Sequence, residues 1–176
     1  MLQECSIIRV ANVFFNEPTK LHYLIEISQK AKLAHTSVKK YLEQMKETGI
    51  IKETAEKKGK RKFPIYIANI ENKEYKKFKR AINLIKIENV TSFLKSKLMP
   101  KTIVLFGSYA RGEDVEESDI DIFIECKKEQ VDLSKFEKQL NRKIHLHFKE
   151  KFKNYPAELK NNIANGTVLG GYLEVF

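Results

Sequence analysis

The chain has 176 residues, 42% of them hydrophobic, with only 7 Gly and 4 Pro, which suits one ordinary domain or two small ones and excludes a low-complexity or disordered protein. No apolar stretch is long enough for a membrane span, and MLQECSIIRVANVFF at the start has an early acid and no small-residue cleavage site, so neither a membrane anchor nor a secretory signal is expected. The net charge of +10 is uneven: 21 Lys and Arg face 10 Asp and Glu over residues 1–100, against 12 and 13 over residues 101–176, which suggests two modules, the first of which meets a polyanion.

Ile7 to Phe15 reads as a first helix. Leu21 to Ala31, LHYLIEISQKA, places Leu21, Leu24, Ile25, Ile27 and Ala31 at helical spacing behind a Pro18-Thr19 start. After a short break, KLAHTS, the segment Ser37 to Thr48 puts Val38, Tyr41, Leu42 and Met45 on one face and Lys39, Lys40, Gln44 and Lys46 around the rest. Gly49 stands where the residue after a helix end would be. Two short helices joined by a tight turn, the second basic on its free face, read as a helix-turn-helix. Ile50 to Thr54 and Phe63 to Ala68 read as two strands, with the basic, glycine-centred AEKKGKRK between them.

This order of helices, strand, basic loop and strand resembles the winged-helix family over about the first seventy residues. The resemblance implies that Thr36, Ser37, Lys39, Lys40 and Gln44 face the major groove of double-stranded DNA. It implies that Lys57, Lys58, Lys60, Arg61 and Lys62 contact phosphate from the wing, which supplies affinity with little sequence choice. The alternative is a winged helix used only for protein contacts or dimerisation.

Asn72 to Leu98 sets Tyr75, Phe78, Ile82, Ile85, Asn89, Phe93 and Leu94 at helical spacing, with a break expected near Val90-Thr91. This long helix reads as a connector or as the pairing surface of a homodimer. Met99-Pro100 closes it and marks an expected boundary. The expected division is 1–70, a connecting helix at 71–100, and a second domain at 101–176.

Lys101 to Phe106, KTIVLF, is a short buried strand that runs into Gly107-Ser108. A strand ending in Gly-Ser can admit a phosphate, because glycine lets the backbone approach and the hydroxyl and free N–H groups donate. Alone, Gly-Ser is usually just a turn. Further on, SDIDIFI spends two charges inside an apolar run: strand alternation sets Asp119 and Asp121 on one face and Ile120 and Ile122 on the other. Two adjacent carboxylates stay ionised most easily around a divalent cation, and Mg²⁺ prefers oxygen ligands and keeps substrate phosphates in its shell. The two halves together describe a site for a triphosphate. Cys5 and Cys126 lack zinc or disulfide spacing and read as reduced thiols of a cytoplasmic protein.

GSYARG followed by SDIDIFIE resembles the nucleotidyltransferase superfamily of DNA polymerase beta type, and within it the minimal nucleotidyltransferases. The resemblance covers Lys101 to about Phe148, with a looser match in NNIANGTVLGGYLEV. It implies an α+β protein whose C-terminal part is a mixed sheet with flanking helices. It implies that Gly107 and Ser108 hold the β,γ-phosphates of a nucleoside triphosphate, ATP the expected one, that Asp119 and Asp121 bind Mg²⁺ or Mn²⁺, that Arg111 supports the loop or contacts phosphate, and that Ser118 orients the first carboxylate. Members usually carry a third carboxylate on a later strand. Here that strand is KIHLHF, Lys143 to Phe148, whose polar face carries His145 and His147 and no acid. An imidazole can serve as a base near neutral pH or bind a softer metal. Equally, the histidines replace a lost catalytic acid. Two functions therefore stand. One is transfer of a nucleoside monophosphate to a hydroxyl on a partner protein, such as a toxin inhibited by an antitoxin-type transferase. The other is a DNA-binding regulator with a degenerate transferase domain that binds nucleotide or a partner. Transfer to an antibiotic or to RNA is less favoured, since no extra substrate-binding domain is evident.

Overall fold

The structure, a computed structural model, describes residues 5–152 and 155–175, with the side chain of Lys58 outside the description. The chain divides into two units, Met1–Lys77 and Phe78–Phe176.

The first unit opens with α1 (Ser6–Asn16), followed by β1 (His22–Tyr23), α2 (Leu24–Ala31), α3 (His35–Glu47), β2 (Ile51–Lys58) and β3 (Arg61–Ala68). The helices bury Val10, Val13, Phe14 and Phe15 from α1, Ile27 and Ala31 from α2, and Val38, Leu42 and Met45 from α3. Gly49, at φ +72°, ends α3: its N–H donates to Lys46 O at 2.9 Å and that of Ile50 to Met45 O at 2.9 Å, capping carbonyls that the helix leaves open. The three-stranded sheet has the order β1-β3-β2, all antiparallel.

Two expectations change here. The helix expected from Leu21 begins only at Leu24, because His22 and Tyr23 pair with Tyr66 and Ile65 on the free edge of β3. Leu21 and Ile25 consequently face solvent. The basic loop also shrinks to a turn. Pairing continues to Lys58↔Arg61, leaving only Gly59 and Lys60 between the strands. Gly59 has φ +62°, which a two-residue hairpin turn requires of its first residue.

Helix α4 (Lys73–Leu98) runs unbroken through Val90-Thr91. Thr91 is buried and its hydroxyl donates to Ile87 O at 3.1 Å, so the threonine is accommodated inside the helix. The buried face of α4 also differs from the expected one. Lys79, Asn83, Ile87, Val90, Leu94 and Leu98 are buried, whereas Phe78 and Ile85 are exposed. Asp114, only 2% exposed, explains the exchange. It accepts a hydrogen bond from Asn83 Nδ2 at 2.8 Å and pairs with Lys79 Nζ at 3.2 Å and Arg142 at 3.7 Å.

The rest of the second unit comprises β4 (Thr102–Phe106), α5 (Gly107–Arg111), β5 (Ile120–Glu125), α6 (Ser134–Leu140), β6 (Ile144–Lys149), α7 (Ala157–Ala164) and β7 (Thr167–Gly171). Their sheet has the order β6-β5-β4-β7, with β5 and β6 parallel and the other pairs antiparallel. Alternation along the strands sends side chains to two cores. Ile103, Leu105, Ile120, Ile122 and Ile124 pack with Ile87, Val90 and Leu94 of α4. Val104, Phe106 and Phe123 pack with Phe152 and with Ile163 of α7. Among the described residues, no helix is long and apolar enough to cross a membrane.

Lys86 offers a direct check on this packing. Burial pushes its ammonium down to about 8; nearby Asp114 opposes the shift, while Lys79 and Arg142 add to it. The unfolded chain therefore binds more protons between pH about 8 and about 10.5, so this group's contribution to stability rises with pH across that window. Comparing urea midpoints of the wild type and Lys86→Met from pH 8 to 10 should show the wild type gaining on the variant. Parallel pH profiles would refute the burial of this amine.

Candidate active site

The register Phe106↔Asp121 brings the end of β4 beside the start of β5. The chain then turns sharply into α5 at Gly107, whose φ is +77°. A Cβ at Gly107 would lie 2.9 Å from Asp121 Oδ2, closer than real contacts allow. The glycine thus meets both a backbone and a packing requirement, and the Gly-Ser corner directly abuts the carboxylate. Ser108 follows, half-buried.

Asp119 stands one residue before β5 and Asp121 one residue inside it, both half-buried. The parallel register Asp121↔His145 aligns β6 alongside. His147 Nε2 lies 3.0 Å from Asp121 Oδ1, and the imidazole packs edge-on against Phe106 with centroids 5.1 Å apart. His145 Nδ1 lies 3.7 Å from Asp119 Oδ2. Each carboxylate is therefore matched with one imidazole, and His147 is the better held. The position expected for a third acid carries imidazole.

Whether these groups suit a cation depends on their donor chemistry and spacing. Asp119, Asp121 and a histidine do not converge to within 4.8 Å as a trio; among the described residues only Glu17, His22 and Glu26 do so. Two hard carboxylate donors with open positions fit Mg²⁺ or Mn²⁺ completed by phosphate oxygens and water, rather than a closed protein cage.

The other expected residues are less engaged. Arg111 Nε donates to Glu113 Oε2 at 2.7 Å on the surface. Ser118 Oγ accepts from Val115 N–H at 2.9 Å, which braces the turn leading to Asp119. Sequence reasoning missed the support beneath α5. Asn83 Nδ2 donates to Tyr109 O at 2.9 Å as well as to Asp114, so the buried polar cluster is tied to the helix that follows the Gly-Ser corner. Its one trace in the sequence is an aspartate among the acids that follow Gly112, GEDVEE, which nothing local distinguishes from its neighbours.

In the first unit, Thr36, Lys39, Lys40 and Gln44 lie exposed on α3, and Ser37 is half-buried there. Lys57, Lys60, Arg61 and Lys62 are exposed on and around the hairpin turn; Lys58 stands at the end of β2.

Comparison with known proteins gives one match that lies within the second unit. Residues 84–169 match the family model described as a nucleotidyltransferase domain. A 32-residue stretch is 69% identical to the Methanocaldococcus jannaschii protein described as "Putative protein adenylyltransferase MJ1379", and one of the same length is 59% identical to "Putative protein adenylyltransferase MJ0128" of that organism. Each stretch is 18% of this chain, and the chain spans about a third of each relative's length, 32% and 33%. A solved structure titled "Possible transcriptional regulator from Methanosarcina mazei Go1" aligns over 53% of this chain and 78% of its own, at 18% identity and a TM-score of 0.38.

Proposed function

We propose that the second unit transfers a nucleoside monophosphate from a nucleoside triphosphate, ATP the first to test, to a hydroxyl on a partner protein. The observation that carries this reading is the Gly107-Ser108 corner set against Asp121 by the β4–β5 register. The nucleotidyltransferase domain match supports the reaction class, and the descriptions of the two relatives support a protein acceptor. In the reaction the acceptor hydroxyl gives its proton to an imidazole of β6 or to water, its oxygen bonds to the α-phosphorus, the α–β phosphoanhydride bond breaks, and pyrophosphate leaves. Gly107 and Ser108 cradle the β,γ-phosphates, while His147 and His145 orient Asp121 and Asp119. A Mg²⁺ or Mn²⁺ ion on those carboxylates would neutralise charge on the triphosphate.

The first unit belongs to the same proposal as a winged helix that binds duplex DNA, with α3 in the major groove and the hairpin along phosphates. A transferase that restrains a toxin and binds its own operon would combine the two parts, as a cytoplasmic protein able to form a homodimer. Free Cys5 and Cys126 suit that compartment. The second reading is a regulator whose transferase domain binds nucleotide without transferring it. The imidazoles standing on β6 in place of an acid favour it.

Calorimetric titration of ATP with Mg²⁺ or Mn²⁺, followed by a transfer assay with α-labelled ATP, separates these readings. Binding with transfer supports the enzyme, binding without transfer supports the regulator, and no binding rejects the triphosphate site. DNA binding is checked by mobility shift at several salt concentrations. Replacing Lys57, Lys60, Arg61 and Lys62 with Gln should weaken binding and flatten the log–log salt slope by about 3 to 4, at roughly 0.9 per phosphate contact. An unchanged slope would remove these side chains from the interface.

A further inference from the structure

The first unit contains a second cluster that the transferase reading does not use. Glu17 follows α1, His22 lies in β1, and Glu26 is in the first turn of α2. One ligand atom from each falls within 4.8 Å of the others. His22 is fully buried, while the side chains of Glu17 and Glu26 are 32% and 27% exposed.

The imidazole gives the cluster its meaning. His22 Nε2 lies 3.3 Å from the carbonyl oxygen of Glu17, which can only accept, so Nε2 is the donor of that pair. Nδ1 then faces the cluster. It is buried without a hydrogen-bond partner and lies 3.4 Å from Glu26 Oε1. A bare nitrogen lone pair against a carboxylate is repulsive unless a proton or cation lies between them. Tetrahedral bonds of about 2.1 Å to zinc set ligand atoms about 3.4 Å apart; the His22–Glu26 pair already has that spacing, and the Glu17 carboxylate, within 4.8 Å, must close toward Nδ1.

Two ammonium groups share the cluster. Lys30 pairs with Glu17 and lies 2.9 Å from Glu26; Lys20 lies 3.2 Å from Glu26 and 3.5 Å from Glu17. The Glu26 carboxylate thus already sits among cationic partners, and an entering metal ion would replace one of them. Both lysines sit on the solvent side, with side chains 35% and 51% exposed, and can swing away.

We propose that Glu17, His22 and Glu26 form a binding site for a first-row transition-metal ion, Zn²⁺ in the first instance, that displaces the Lys30 ammonium. One imidazole with two carboxylates suits such an ion better than Mg²⁺ or Ca²⁺, which prefer oxygen alone. Because β1 pairs with β3 of the hairpin, the ion would tie α1, the sheet and α2 together. The site is independent of the transferase reading.

The test is calorimetric titration of Zn²⁺ into the full chain and three variants. One binding event per chain should persist in Asp119→Asn/Asp121→Asn and weaken at least about tenfold in Glu17→Gln/Glu26→Gln. Lys30→Met, which removes the competing cation, should tighten that event about tenfold. Zinc should also raise the melting temperature of the wild type and of Asp119→Asn/Asp121→Asn. Absence of any event with this pattern overturns the proposal. If Glu17→Gln/Glu26→Gln fails to fold by circular dichroism, Lys30→Met decides alone, and unchanged or weaker zinc affinity there overturns it.

Discussion

Replacing Asp119 and Asp121 together with Asn is expected to remove metal-dependent ATP binding while leaving the fold in place. Both residues are half-buried at the open end of the sheet, and their partners are imidazoles on the same surface. Each such pair is screened by solvent, so the stability change should stay below about 1 kcal/mol. The binding change should be far larger. Even outer partners of a metal ligand are worth about 10- to 100-fold in affinity, so losing both ligands should cost more than about 100-fold. The sign of a control sharpens the test. Without metal, the two carboxylates repel the triphosphate, so the variant should bind metal-free ATP no worse than the wild type and preferably better. Calorimetry with and without Mg²⁺ reads both quantities. Equal metal-dependent affinity in variant and wild type would mean that ATP, if it binds, does so elsewhere.

How much of this site can be read from sequence depends on the range of the interactions. Asp119 and Asp121 are legible because strand alternation is local: two acids two residues apart in an apolar run share a face whatever the tertiary fold. Gly107 is legible because a strand running straight into Gly-Ser asks for a turn, and its φ of +77° meets that need. The two-residue strand His22–Tyr23 is not legible, because its pairing is decided by the edge of β3, more than forty residues later. The buried face of α4 fails for a similar reason. Hydrophobic spacing selects Phe78 and Ile85, but the helix turns Lys79 and Asn83 inward to meet Asp114, an acid that enters the core from a distant loop. A buried charge is acceptable only beside its partner, and that partnership leaves no periodic mark.

That same partnership leads to the largest stability effect expected in the protein. Asp114 faces Lys79 at 3.2 Å, with both side chains almost wholly out of solvent, at 2% and 1% exposure. Arg142, 7% exposed, adds a second cation at 3.7 Å. Asp114→Ala would leave two buried cations without their carboxylate and Asn83 Nδ2 without one acceptor. Breaking a buried pair from one side costs about 3–5 kcal/mol, because the remaining charge keeps its desolvation penalty. Asp114→Leu combined with Lys79→Met removes both members of the closest pair and should cost less than Asp114→Ala alone. Urea denaturation of the three proteins measures this ordering. A cost below about 1 kcal/mol for Asp114→Ala would mean that water reaches the cluster and the burial is not real. The effect should extend to the site. Asn83 holds both Asp114 and the carbonyl of Tyr109, so loosening the cluster releases the helix that begins at Gly107. Asp114→Asn, which keeps an acceptor for Asn83 but loses the charge, separates the two roles: stability should fall while ATP affinity, measured below the unfolding range, holds closer to the wild type than in Asp114→Ala.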